Sequence, residues 1–196
     1  ISCIEDPQVA LRLLRNCAGV CKITHNMRMV PTHFHPTALA EFDKEVQSTF
    51  CKTTGLFPNR DQWQQACRGF KHAGLGLRSA SLHGEAAYLA SACASRDKCH
   101  KLLQGFSLDA DNSASHFGVN LAAYNAKLPP DKQLTPQNIP GHSQKQLSDN
   151  LDEVGHNQRL QQADIVDRAT LLSESQTGAK EFWQVTTSIV LGLAVP

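Results

Sequence analysis

Apolar side chains recur at three- and four-residue steps along most of the chain, the pattern of helices that bury one face. Leu14, Cys17, Cys21 and Met27 make such a stripe across residues 7–30, where Pro7 follows Asp6 as a first-turn proline and Pro31 closes the segment. Leu39, Phe42, Val46 and Phe50 make a second, from a Thr37 N-cap to Thr53, with Gly55 placed as a stop. A shorter helix over about residues 60–68 carries Trp63. Residues 71–78 form a glycine-punctuated turn. After it Ser79 or Ser81 caps a small-residue helix reaching about Ser95, whose alanines allow close packing. Residues 98–104 and 114–126 are further helical stretches.

The pattern then breaks. Pro129, Pro130, Pro136 and Pro140 crowd residues 128–143, which read as a linker or extended connection. Polar helices follow at 144–151 and 157–174, with Leu160, Ala163, Val166 and Leu171 as their apolar positions. Gly178 precedes a final helix carrying Phe182, Trp183, Val185 and Val190. Period-two alternation nowhere exceeds about four residues, so strands are not expected. The expected fold is mostly α, with a helical region over 1–127, a Pro-rich linker over 128–143 and a C-terminal helical segment over 144–196.

Composition narrows the class. The 196 residues suffice for a core without staples. No apolar run approaches the ~20 residues of a membrane helix, so no membrane role is expected. The seven cysteines are odd in number and contain no C-x2-C, which favours a reduced intracellular protein of nucleus or cytoplasm over a secreted disulfide scaffold. Cys17, Cys21 and His25 share one face of a continuous helix, a spacing open either to a metal site or, as the preferred reading, to two small core residues with a histidine at their edge. The start at Ile1 and the apolar finish at Val195-Pro196 lead us to expect a piece of a longer polypeptide or a degraded copy of one.

Catalytic patterns are wanting. Gly74-x-Gly76 lacks a following Lys-Ser/Thr and a preceding strand, so it is a packing turn and not a nucleotide loop. Asp109/Asp111, Asp152/Glu153 and Asp164/Asp167 read as solvated faces. Ser81-x-His83 reads as a cap followed by a surface histidine with no orienting acid. Charge is distributed unevenly: residues 1–80 hold ten Lys or Arg against six Asp or Glu, a net of +4, whereas the remainder nets −3. A local basic surface can neutralise phosphates even where the total is near zero.

Several segments in order resemble one family. They are Asp6-Pro7-Gln8-Val9-Ala10-Leu11, Leu13-Leu14-Arg15-Asn16-Cys17-Ala18-Gly19 and His25-Asn26-Met27-Arg28-Met29-Val30-Pro31. Phe42-Asp43, Thr54-Gly55 and Trp63-Gln64-Gln65-Ala66 continue the series. Gly74-Leu75-Gly76-Leu77-Arg78-Ser79-Ala80 with Ala86-Ala87-Tyr88-Leu89-Ala90-Ser91 is its most specific part. Together they are similar to the region just after the polymerase palm in reverse transcriptases of non-LTR retrotransposons. About half the chain is covered well, and residues 163–173 and 191–196 match more loosely.

The resemblance implies a helical, thumb-like bundle and connection that tracks an RNA or RNA–DNA template–primer duplex. Arg12, Arg15, Lys22, Arg28, Lys71 and Arg78 are then backbone contacts that read charge and shape. It also implies a palm domain elsewhere in the same polypeptide, and Mg bound there in the parent polymerase. The palm's Tyr/Phe-x-Asp-Asp motif is absent from these residues, Ala73-Gly74 replaces the usual Gly-Gly, and Arg68-Gly69 stands where Leu-Pro is frequent. No cofactor and no polymerase activity are therefore expected of this chain alone. The alternative is a helical interaction or structural module whose basic residues only solvate it.

Overall fold

The computed structural model describes residue 1 and residues 3–179; the expected final helix with Phe182 and Trp183 lies outside them. The described residues are mostly helical and contain no strand, as the apolar spacing predicts.

Helix α1, Pro7–Leu13, starts at Asp6, whose carboxylate accepts the N–H groups of Gln8 and Val9 at 2.8 and 3.3 Å. The expected continuous helix over 7–30 is not formed. A π-turn at Leu14–Ala18, an extended Gly19 (φ −81°, ψ −151°) and a 3-10 turn at Val20–Lys22 separate α1 from α2, Thr24–Met29. Gly19 removes the side chain that favours helix, and the β-branched Val20, Ile23 and Thr24 resist resuming it.

Helix α3 spans Pro36–Thr54 and α4 spans Arg60–Ala66, the latter opened by a reciprocal pair of Asn59–Gln62 bonds at 2.9 Å. Ser79 caps α5, Ala80–Leu102, which runs unbroken through the stretch expected as a separate helix at 98–104. Helix α6 is His116–Asn125. Helices α7, Gln144–Gln162, and α8, Ile165–Glu174, meet at the Asp164 cap and not at 152–156. Leu151, Asp152, Val154 and His156 are all buried, and that burial carries α7 across the polar stretch.

The contacts group into two units. The first comprises residues 1–22, 43–78 and 156 onward. Its buried residues include Ala10, Leu14, Val46, Phe50, Cys67 and Leu77, with the Phe50 and Trp63 rings 5.5 Å apart. The second comprises residues 23–42 and 79–155. There α5 packs against α2 and α6, and the core is Leu89, Phe117, Leu121, Tyr124, Leu147 and Leu151.

Leu128 and Ile139, from the proline-rich stretch, join this second core. The stretch is also tied down at Leu134, whose N–H and carbonyl are both engaged by the Asn125 amide at 2.9 and 2.8 Å. The Tyr124 hydroxyl donates to the Leu147 carbonyl at 2.9 Å, and burial pushes its pKa up to about 12 against the pull of an Asn150 hydrogen bond.

Candidate nucleic-acid interface

Five of the six basic residues singled out in the sequence belong to the first unit. Arg12 is exposed on α1, Lys22 is exposed on the 3-10 turn, and Lys71 is exposed on a second 3-10 turn, Phe70–His72. Arg78 is half-buried at the end of the glycine turn. Arg15 is placed most definitely: its guanidinium lies over the Phe70 ring, 4.7 Å from the centroid, a cation–π contact that orients the charge. Burial, helped by the neighbouring Arg12 charge, pulls its pKa down from the usual arginine value.

The turn that presents Phe70 requires its glycines. At Gly74 a Cβ would stand 2.1 Å from the Arg68 carbonyl oxygen. Gly76 adopts φ +73°, and a Cβ there would approach Arg15 Cδ to 3.0 Å and Phe70 Cε2 to 3.3 Å. Backbone bonds fold the turn onto the end of α4, with Leu75 N–H donating to Ala66 at 3.0 Å and Gly76 N–H to Arg68 at 2.9 Å. Gln65 adds two more by donating to the carbonyls of His72 and Ala73 at 2.8 and 2.7 Å. Gly74-x-Gly76 is thus a packing turn, as its sequence context predicts.

Arg28 falls in the second unit, exposed on α2, with its Nε donating to Gln144 Oε1 at 2.7 Å. The shared helical face expected for Cys17, Cys21 and His25 does not exist, because the chain is extended at Gly19. Cys17 and Cys21 are exposed and not core residues, and the Cys21 thiol donates to the Asn16 carbonyl at 3.2 Å. Among the described residues no three His, Cys, Asp or Glu side chains come together as metal ligands.

Two further readings need correction. His83 is not a surface histidine and Asp152 is not solvated: they are 3% and 1% exposed, with His83 Nε2 3.4 Å from Asp152 Oδ1. That is ion-pair reach without hydrogen-bond alignment. Also in the second unit, Lys127 Nζ meets Glu85 Oε2 at 2.5 Å and donates to the carbonyls of Ser81 and Leu82 at 3.0 Å. Glu85 Oε1 accepts from the Thr32 hydroxyl at 3.3 Å, and Thr32 in turn bonds Asn120. The signal for this buried polar set was present in the sequence, where His83 and Glu85 interrupt a run of small apolar residues. In the first unit, His72 and His156 are buried with ring centroids 5.5 Å apart, and Arg68 is buried with them.

Compared with known proteins, the chain matches no family model, no curated protein and no solved structure.

Proposed function

We propose that the chain is a non-catalytic helical piece of a retroelement RNA-directed DNA polymerase that contacts the backbone of an RNA or RNA–DNA duplex. The observation that carries the reading is the Arg15–Phe70 stack, which holds one guanidinium in place in a unit that also carries exposed Arg12, Lys22 and Lys71. Such a set reads phosphate charge and spacing, not base identity. On this reading the palm of the same polypeptide supplies the aspartates and binds Mg, and this chain supplies grip. An odd count of seven cysteines with no C-x2-C spacing supports an intracellular location, nucleus or cytoplasm. No helix among the described residues is long and apolar enough to cross a membrane.

Fluorescence anisotropy with a labelled RNA–DNA hybrid tests the reading. Binding at low salt should weaken with a log–log slope of about −3 if three to four phosphates are neutralised. The triple reversal R12E/R15E/K22E should abolish it. Absence of binding at low salt, or indifference to the reversal, overturns the reading. A helical protein-interaction module is the second reading, favoured by Ile165 and Val166, neighbours on α8 that are 88% and 74% exposed. It predicts that the triple reversal leaves partner capture unchanged while I165D removes it.

A further inference from the structure

A cleft of about 590 Å³ opens in the second unit, lined on its polar side by Arg28 of α2, Ser91 of α5, and His142, Ser143, Gln144 and Gln146. The rest of the lining is small and uncharged, and no carboxylate belongs to it. Internal bonds decide what this lining offers a ligand. Arg28 Nε–H can only donate, so the Gln144 atom that meets it at 2.7 Å is the amide oxygen. The Ser143 backbone N–H likewise meets Gln146 Oε1 at 2.7 Å, and the Ser143 hydroxyl reaches the same oxygen at 2.9 Å. Gln146 Oε1 thus accepts twice and Gln144 Oε1 once within the protein, and each amide keeps its N–H donors for a ligand. Arg28 Nη1 and Nη2 have no partner among the described residues, nor have the side chains of Ser91 and His142.

The cleft thus combines one oriented positive charge, an excess of uncommitted donors and no negative charge. An apolar ligand would desolvate the guanidinium without compensation, and a metal cation would meet no carboxylate. Phosphate oxygens are acceptors only and match a guanidinium fork. The volume lies within the ~300–1,000 Å³ range of small-molecule sites, which leaves room for an organic body beside the anion.

We propose that this cleft binds a phosphate ester of a small organic body, with Arg28 as its anchoring charge; a nucleotide and a dinucleotide serve as the probes. No residue of the first unit lines this cleft, and of the six basic residues singled out in the sequence only Arg28 does. The phosphate belongs either to a free monoester or to a strand's phosphodiester, and the two are separable by experiment.

Calorimetric titration of the full chain with adenosine 5′-monophosphate, the dinucleotide TpT and phosphate-free adenosine is the test. Binding of either phosphate-bearing ligand but not of adenosine is expected. The tighter of the two identifies the source. R28Q should weaken binding at least tenfold. Gln144→Glu should do the same without touching the arginine, since the new carboxylate takes its place beside the guanidinium. K145Q removes an exposed charge that does not line the cleft and should change affinity less than twofold. Thermal melting confirms that each variant is folded. No binding, equal binding of adenosine, indifference to R28Q, or an equal loss with K145Q overturns the proposal. R12E/R15E/K22E should leave nucleotide binding intact whatever it does to the hybrid, which keeps the two readings distinguishable.

Discussion

His33 Nε2 lies 3.2 Å from His116 Nδ1, and the surrounding bonds decide which nitrogen holds the proton. The Thr32 backbone N–H, which can only donate, meets Asn120 Oδ1 at 3.2 Å, so the Asn120 amide cannot be turned over. Its Nδ2 therefore donates to the His116 carbonyl at 2.7 Å and to His33 Nδ1 at 3.2 Å. His33 Nδ1 is an acceptor, its proton sits on Nε2, and His116 Nδ1 receives it. The spacing also matches two nitrogens on a tetrahedral metal at about 2.0 Å each, but the His33 Nε2 lone pair is already spent.

Long-range proton–nitrogen NMR should therefore find His33 as the Nε2–H tautomer in the native chain. Asn120→Asp can accept but not donate, so it should move the proton to Nδ1 and break the His33–His116 bond. The expected loss is about 1–2 kcal/mol, read from urea midpoints. An Nδ1–H tautomer in the native protein would refute the assignment.

The two Lys–Glu pairs of the second unit should differ in worth. Lys127 and Glu85 are 27% and 10% exposed and share the pair with three further acceptors and donors, whereas Lys132 and Glu153, 2.9 Å apart, are 32% and 45% exposed. K127M strands a largely buried carboxylate and should cost about 2–3 kcal/mol, reduced from the fully buried case by the exposure of Lys127. K132M should cost under about 1 kcal/mol. In a double-mutant cycle, E85Q should recover part of the K127M loss. Equal costs for the two lysine variants would show that burial is not what distinguishes the pairs.

Legibility from sequence followed the strength of the periodic signal. The stripe Leu39, Phe42, Val46, Phe50 marks the extent of α3, because a long amphipathic face leaves one solution, but the expected cap Thr37 lies inside the helix, which starts at Pro36. The run 7–30 carries a comparable stripe yet breaks at Gly19, since period alone does not count backbone penalties of one glycine among β-branched neighbours. Leu128 and Ile139 sit among prolines that announce a loop, and nothing local says that the loop is anchored to a core. The basic residues were legible as candidates. That Arg15 rests on Phe70 was not, because fifty-five positions separate them and only the folded glycine turn brings them together. The burial of His83 with Asp152 is illegible for the opposite reason: polarity suggests exposure, and the partner lies sixty-nine positions along the chain.

Acid should weaken the first unit through His156. Burial, then the nearby His72 and Arg68, hold its pKa below the ordinary imidazole value of 6.5. The unfolded chain consequently takes up this proton first as pH falls. Stability is intact above about pH 6.5 and is lost below it, until the folded form also protonates. Urea midpoints measured between pH 7.5 and 5 should fall more for the native chain than for H156N. Parallel curves would show that His156 does not contribute to the acid sensitivity.

Gly76 and Gly55 offer a matched pair for separating backbone strain from ligand contact. Both adopt left-handed conformations, φ +73° and +69°. Alanine at either should cost about 1 kcal/mol from the backbone alone. Their surroundings differ: a Cβ at Gly55 meets nothing within 4 Å, whereas one at Gly76 presses on Arg15 Cδ and the Phe70 ring. The arginine must then leave the ring or shift along it. G76A should therefore weaken binding of an RNA–DNA hybrid about threefold to tenfold beyond its effect on stability, and G55A should leave binding unchanged at a similar thermal cost. Anisotropy and thermal melting on both variants check this. If the two lower affinity alike, the Arg15–Phe70 stack is a packing feature and does not position a phosphate contact.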